Sequence, residues 1–146
     1  MSVNEKTAGI FVGSLRKKSY NRMMAHAVMA LAPAPLKLHI VEVGDLPMYN
    51  EDLDVAPPAC WERFRQEVAA LDAVLFITAE YNRSVPAVLK NALDVGSRPP
   101  GHNVWNGKPG AVMSVSIGAT GGFGATHHLR QSLVVLNVPT MAQPEA

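Results

Sequence analysis

The segment Gly13-Ser14-Leu15-Arg16-Lys17-Lys18-Ser19-Tyr20-Asn21 brings hydroxyls, an amide, a phenol and a guanidinium into one short stretch. It follows the apolar run Ala8-Gly9-Ile10-Phe11-Val12 and precedes a helical pattern, so it sits where a strand hands over to a helix. Oriented hydroxyls and free N–H groups at a helix start, with positive charge beside them, are what a phosphate dianion needs. The same residues also fit a plainer reading, in which Ser19 caps the helix and the basic run is a solvated loop. The spacing is neither a Walker loop nor a dinucleotide Gly-x-Gly-x-x-Gly turn.

Two further loops have unusual composition. Thr78-Ala79-Glu80-Tyr81-Asn82-Arg83-Ser84-Val85-Pro86 places polar and aromatic groups directly after an apolar strand. Such a cluster can grip a planar ring through backbone and side-chain amides. It can equally be a helix-start loop, with Ser84 as cap and Pro86 in the first turn. Ser116-Ile117-Gly118-Ala119-Thr120-Gly121-Gly122-Phe123-Gly124 is rich in glycine, which lets backbone approach a ligand closely and adopt positive φ. Taken alone, that richness is a weak signal.

Other candidate chemistry is less well supported. His127 and His128 are adjacent, so they face different sides of a helix and are poorly placed to share a metal; no metal site is expected. His39 falls in a predicted strand and reads as structural. Ser14 lacks the Gly-x-Ser-x-Gly context of a hydrolase nucleophile. Cys60, beside Trp61, reads as core packing, and the seven methionines as core filler.

The elements that position these loops follow from two alternating rhythms. Ala8–Val12, Leu38–Val41, Ala73–Ile77 and Ala111–Val115 are short apolar runs, as in strands covered on both faces of a parallel sheet. Between them, Met24, Val28 and Leu31 have helical spacing, as do Trp61, Phe64, Val68 and Leu71. Val85, Leu89 and Leu93 form a third stripe, and Leu129, Leu133 and Leu136 a fourth. Pro33 and Pro35 stop the first helix, while Pro57 and Pro58 open the second. Val138–Ala142 reads as a fifth strand. The expected class is α/β, a doubly wound five-stranded parallel sheet in a three-layer α/β/α arrangement with its last helix missing. Either the chain is truncated relative to its relatives, or another subunit covers that strand. In such sheets ligands bind beyond the carboxyl ends of the strands, where all three loops lie.

Composition sets outer bounds. The chain has 146 residues, 48% hydrophobic and 17% charged, with a net charge of +1. One domain over 1–146 is expected, and the charge gives no reason to expect nucleic acid or an anionic membrane as partner. One cysteine excludes an intramolecular disulfide framework and a cysteine-cluster metal site. No apolar run reaches the ~18 residues of a membrane span. Met1-Ser2-Val3-Asn4-Glu5-Lys6-Thr7 lacks the apolar core of a signal peptide, so a cytoplasmic location is expected.

Together the three loops resemble the NADPH-dependent FMN reductase family, whose flavodoxin-like members include quinone, azo-dye and chromate reductases. Gly13, Ser14, Arg16, Ser19 and Asn21 match its Gly-Ser-x-Arg-x-x-Ser-x-Asn phosphate motif. Glu80-Tyr81-Asn82, then Ser84, Pro86, Leu89-Lys90-Asn91 and Asp94, are similar to its Pro-Glu-Tyr-Asn stretch and the run after it. The glycine loop, His128-Leu129-Arg130-Gln131 and Gln143-Pro144-Glu145 extend the match over nearly the whole chain. Ala79 stands where the family has proline. Gly124 and His127 stand where some members carry an arginine and a tyrosine that tie subunits together.

The resemblance implies an FMN site. The phosphate would lie on Ser14, Arg16, Ser19, Tyr20 and Asn21. The ring would rest against Thr78, Ala79, Glu80, Tyr81 and Asn82, with Ser116, Gly118, Gly121 and Gly122 closing the other side. It also implies hydride transfer from NADPH or NADH through FMN to a quinone, free flavin, azo compound or metal oxyanion such as chromate. No catalytic side chain is required. A homodimer or homotetramer is expected by analogy. The alternative is a flavodoxin-like electron carrier, or a flavin-binding module without NAD(P)H oxidation. Carriers of that kind tend to be strongly acidic, and this chain is near neutral. A receiver-type signalling domain fails, because Gly13, Ser14 and Leu15 occupy the place of its acidic cluster.

Overall fold

The computed structural model describes residues 4–146. Residues 1–3 of the N-terminal stretch considered above lie outside the described residues. In chain order the elements are β1 (Lys6–Val12), α1 (Tyr20–Leu31), β2 (Leu36–Ile40), a 3-10 turn (Glu51–Leu53), α2 (Ala59–Ala69), β3 (Ala73–Thr78), α3 (Ala87–Gly96), β4 (Gly110–Ser114) and α4 (Phe123–Val135). All strand pairs are parallel, in the order β2-β1-β3-β4. No described helix is long and apolar enough to cross a membrane.

Side chains alternate across each strand, so the sheet buries two different layers. Phe11, Val74, Phe76 and Val112 join Trp61, Phe64, Leu89, Leu93, Leu129 and Leu133 from α2, α3 and α4 on one face. Ile10, Val12 and Ile77 join Ala25, Met24 and Met29 of α1 on the other. This is the expected three-layer, flavodoxin-like α/β arrangement. On the first face Trp105 forms a cluster of rings with centroids 5.1 Å from Phe11, 5.7 Å from Phe76 and 5.9 Å from Phe64. Its indole N–H donates to the Leu93 carbonyl at 3.1 Å, so the buried ring carries no unpaired donor. Among the described residues, no aromatic side chain belongs to the core cluster on the α1 face.

Two expectations need correcting. The fifth strand is a single bridge, and four strands form the sheet among the described residues. Gly110 N–H donates to the Pro139 carbonyl at 3.0 Å, and Met141 N–H donates to the Gly110 carbonyl at 2.8 Å. The chain then bows away from β4 and returns only at Ala146, whose carbonyl accepts from Ser114 N–H at 2.9 Å. Pro139 has no N–H to give the ladder, so pairing does not extend to the N-terminal side of this bridge. Leu31, grouped with Met24 and Val28, is 84% exposed. The buried stripe of α1 runs through Asn21 and Ala25 toward Met29, and Leu31 lies about 200° around the helix from Met29.

Candidate functional site

Strand β1 delivers its loop onto the end of β3, because Gly13 N–H donates to the Ile77 carbonyl at 2.8 Å. From there Ser14 and Ser19 are buried, and Arg16 stands exposed between them. Ser19 is the N-cap of α1, its Oγ accepting from Arg22 N–H at 3.3 Å. That leaves the N–H groups of Tyr20 and Asn21 at the open end of the helix. The Arg16 guanidinium lies 5.1 Å over the Tyr20 ring and has no carboxylate partner among the described residues.

Asn21 ties this helix start to the sheet, donating from Nδ2 to the Val115 carbonyl at 3.3 Å. Its Oδ1 is buried and has no hydrogen-bond partner. A buried orphan acceptor is costly unless something donates to it. Reversing the amide would instead present N–H to the same space.

These groups surround a cleft of about 380 Å³ at the carboxyl ends of β1, β3 and β4, within the ~300–1,000 Å³ typical of small-molecule sites. Its walls are Ser14, Arg16, Ser19, Tyr20 and Asn21 on one side, Ala79, Glu80 and Tyr81 on the second, and Val115, Ser116 and Ile117 on the third. Val115 and Ile117 were not singled out in the sequence; their only signal was their position at the end of β4. A larger cleft of about 500 Å³ lies between α3 and α4, but it is lined by none of the fourteen candidate residues.

Five candidates sit outside the walls. Thr78 is fully buried, its hydroxyl donating to the Ala79 carbonyl at 2.7 Å. Asn82 is at the tip of a tight turn: Tyr81 and Ser84 exchange both backbone hydrogen bonds, while Asn82 and Arg83 take φ of 51° and 62°. Those angles define a type I′ turn. Gly118, Gly121 and Gly122 shape the neighbouring loop. Gly118 N–H donates to Ser116 Oγ at 3.1 Å, the Gly121 carbonyl accepts from Ser114 Oγ at 2.7 Å, and Gly122 is the left-handed N-cap of α4.

Glu80 contributes backbone to the cleft region but sends its carboxylate elsewhere. Oε2 accepts from Ala125 N–H in the first turn of α4 at 3.1 Å, and Oε1 accepts from the Arg83 guanidinium at 3.1 Å. Thr120 joins the same group through Arg83 and, at 3.5 Å, Glu80 Oε1. The Ala125 N–H, aided by Gly124 N–H and Arg83, holds the Glu80 carboxyl below the usual carboxylate range, against the opposing effect of desolvation.

The donor set fits a flavin mononucleotide on its own chemistry. Serine hydroxyls, an unpaired guanidinium and a helix N-terminus suit a phosphate, and an unpaired amide oxygen suits a hydroxyl of the ribityl chain.

A parallel flavodoxin-like sheet with such a cleft at its strand ends defines a nucleotide-phosphate-binding α/β protein of the flavodoxin type. Residues 6–146 match the family described as NADPH-dependent FMN reductase. The chain belongs to that family. A quinone reductase of Pseudomonas putida (strain KT2440) is 62% identical over 141 residues, covering 96% of this chain and 76% of the relative. A 2-hydroxy-1,4-benzoquinone reductase of a Burkholderia species is 47% identical, covering 93% and 74%. Among solved structures, the flavoenzyme NAD(P)H:(acceptor) oxidoreductase FerB of Paracoccus denitrificans superposes with a TM-score of 0.93 at 42% identity, covering 97% of this chain and 78% of FerB.

Proposed function

We propose that this protein is an FMN-dependent NAD(P)H oxidoreductase whose acceptors are quinones. The observation that carries the reading is the meeting of Arg16, free of any carboxylate partner among the described residues, with buried Ser14 and Ser19 at the N-terminus of α1. When bound, FMN would supply the two-electron chemistry, by which hydride from NAD(P)H and one proton from solvent together convert a quinone to its hydroquinone.

The chain's own residues bind and orient. Ser14, Arg16, Ser19 and the free N–H groups of Tyr20 and Asn21 hold the phosphate, while Asn21 Oδ1 faces the ribityl chain. The backbone of Ala79, Glu80 and Tyr81, with Thr78 behind and Asn82 at the turn tip, forms one wall for the ring. Ser116 forms the other, on a loop shaped by Gly118, Gly121 and Gly122. The quinone class is supported by relatives that are quinone reductases at 62% and 47% identity. The exposed Tyr81 and Ile117 beside the cleft offer apolar surface to such a ring.

A single domain, a homodimer or homotetramer and a cytoplasmic site of action belong to the same reading. The one free thiol, Cys60, is in keeping with a reducing compartment. Light scattering of the purified protein would report the oligomer.

The test is direct. Purified protein, loaded with FMN and mixed with NADPH without oxygen, is expected to lose its yellow colour and regain it on adding a benzoquinone. Persistent colour would favour an electron carrier instead, and failure to take up FMN would remove the reading altogether.

A further inference from the structure

We infer that Glu80 is a positioning residue: its carboxylate caps α4 and thereby clamps together the two loops that flank the ring side of the cleft. The inference rests on the FMN reading above and concerns this chain's own contacts.

The Glu80 side chain is 9% exposed and points away from the cleft whose wall its residue helps to form. Three segments converge on it. Ala125 N–H comes from the first turn of α4, Arg83 from the turn after β3, and Thr120 from the glycine loop after β4. The helix needs that help. Its N-cap, Gly122, offers no side-chain acceptor, and its first turn contains no acidic residue. An α4 N–H that would otherwise lack a partner is satisfied by a carboxylate from forty-five residues earlier in the chain.

An independent observation comes from Gly124. A Cβ there would lie 2.7 Å from the Arg83 carbonyl and 3.0 Å from Glu80 Oε2. The clamp closes only because that position has no side chain. The loop after β3 therefore touches the helix start directly, and the wall bearing Ala79, Glu80 and Tyr81 is fixed relative to the wall bearing Ser116 and Ile117.

Flavin affinity tests this. Riboflavin lacks the phosphate, so its binding reports the ring side alone. Quenching of flavin fluorescence would give dissociation constants for FMN and riboflavin with wild type, Glu80→Ala, Glu80→Gln and Gly124→Ala. Glu80→Ala and Gly124→Ala are expected to weaken both ligands by a similar factor, about tenfold, equivalent to ~1.4 kcal/mol. Glu80→Gln keeps an acceptor for Ala125 N–H and loses the charge, so it should fall between wild type and Glu80→Ala. It also carries the test, with Gly124→Ala, if Glu80→Ala fails to fold. Unchanged riboflavin affinity in the folded variants, even with a lower unfolding midpoint, would overturn the inference, as would a loss confined to FMN. Wild-type protein that takes up neither flavin would instead overturn the reading of the cleft, and this inference with it.

Discussion

Asn91 Oδ1 accepts the backbone N–H of Tyr49 at 2.8 Å, fastening the long β2–α2 connection to α3. The same side chain donates from Nδ2 to the Leu46 and Pro47 carbonyls, each at 3.1 Å. Asn91 is buried, and so are Val41, Val43 and Leu46 of the connection it holds. Asn91→Ala would strand these backbone groups without partners. It is expected to lower stability by roughly 2–4 kcal/mol, seen as a lower urea midpoint. A midpoint within experimental error of wild type would mean that the connection is held by its apolar contacts alone.

Arg16 supplies the cleft at the strand ends with a side-chain charge that no carboxylate among the described residues neutralises. Arg16→Ala should weaken FMN binding by roughly 1.5–3 kcal/mol, the usual worth of a hydrogen bond to a charged group. Riboflavin binding should hardly change. Isothermal titration with both ligands separates the two effects, and equal losses for both would remove Arg16 from the phosphate.

Asp72 joins the turn before β3 to the start of β1. Lys6 Nζ donates to it at 2.9 Å and Thr7 N–H at 2.8 Å, and these bonds bring its carboxyl down to about 2. An unfolded aspartate titrates near ~3.9. Its folded pKa being the lower one, Asp72 stabilises the protein above that value, and the stabilisation is lost as pH falls toward 2. Stability of wild type and Asp72→Asn, compared by chemical denaturation at successive pH values, should therefore converge between pH 4 and 2. A gap that stays constant over that interval would contradict the assignment.

Tyr49 behaves in the opposite sense. Its hydroxyl donates to Asp54 Oδ2 at 2.6 Å, and this bond, helped by burial, pushes the phenol up to about 12. Raised above the unfolded value of ~10, it contributes stability that is intact below pH 10 and lost as pH climbs through 12. The difference between the wild-type and Tyr49→Phe absorbance titrations of the phenolate should be one step centred near 12. A step near 10 would mean that the bond to Asp54 does not persist in solution.

Strands β1, β3 and β4 were readable because each contains a short apolar run bounded by polar loops, a pattern with few rivals in a sheet covered on both faces, whereas β2 interleaves Lys37 and His39 with its apolar residues. The first wall of the cleft was readable because its residues are local: Ser14, Arg16, Ser19, Tyr20 and Asn21 are neighbours in the chain as well as in the cleft. What escaped depends on contacts between distant segments. Nothing near Glu80 in the chain indicates that its carboxylate meets Ala125. Asn82-Arg83 lacks the glycine that usually announces a type I′ turn, so nothing in the segment pointed to one. Val138–Ala142 has strand-like composition, yet its proline and the bowed path to Ala146 reduce it to one bridge.

The ring cluster around Trp105 has a practical corollary. Trp61 and Trp105, the two tryptophans of the chain, both lie with Phe11, Phe64 and Phe76 on the α2–α4 side of the sheet. The α1 side is lined by aliphatic chains and by Met24, Met29 and Met113. Tryptophan emission thus watches one layer of the molecule, whereas loosening or thioether oxidation in the other leaves that signal undisturbed. Methyl resonances of the methionines are the natural reporters for that second layer.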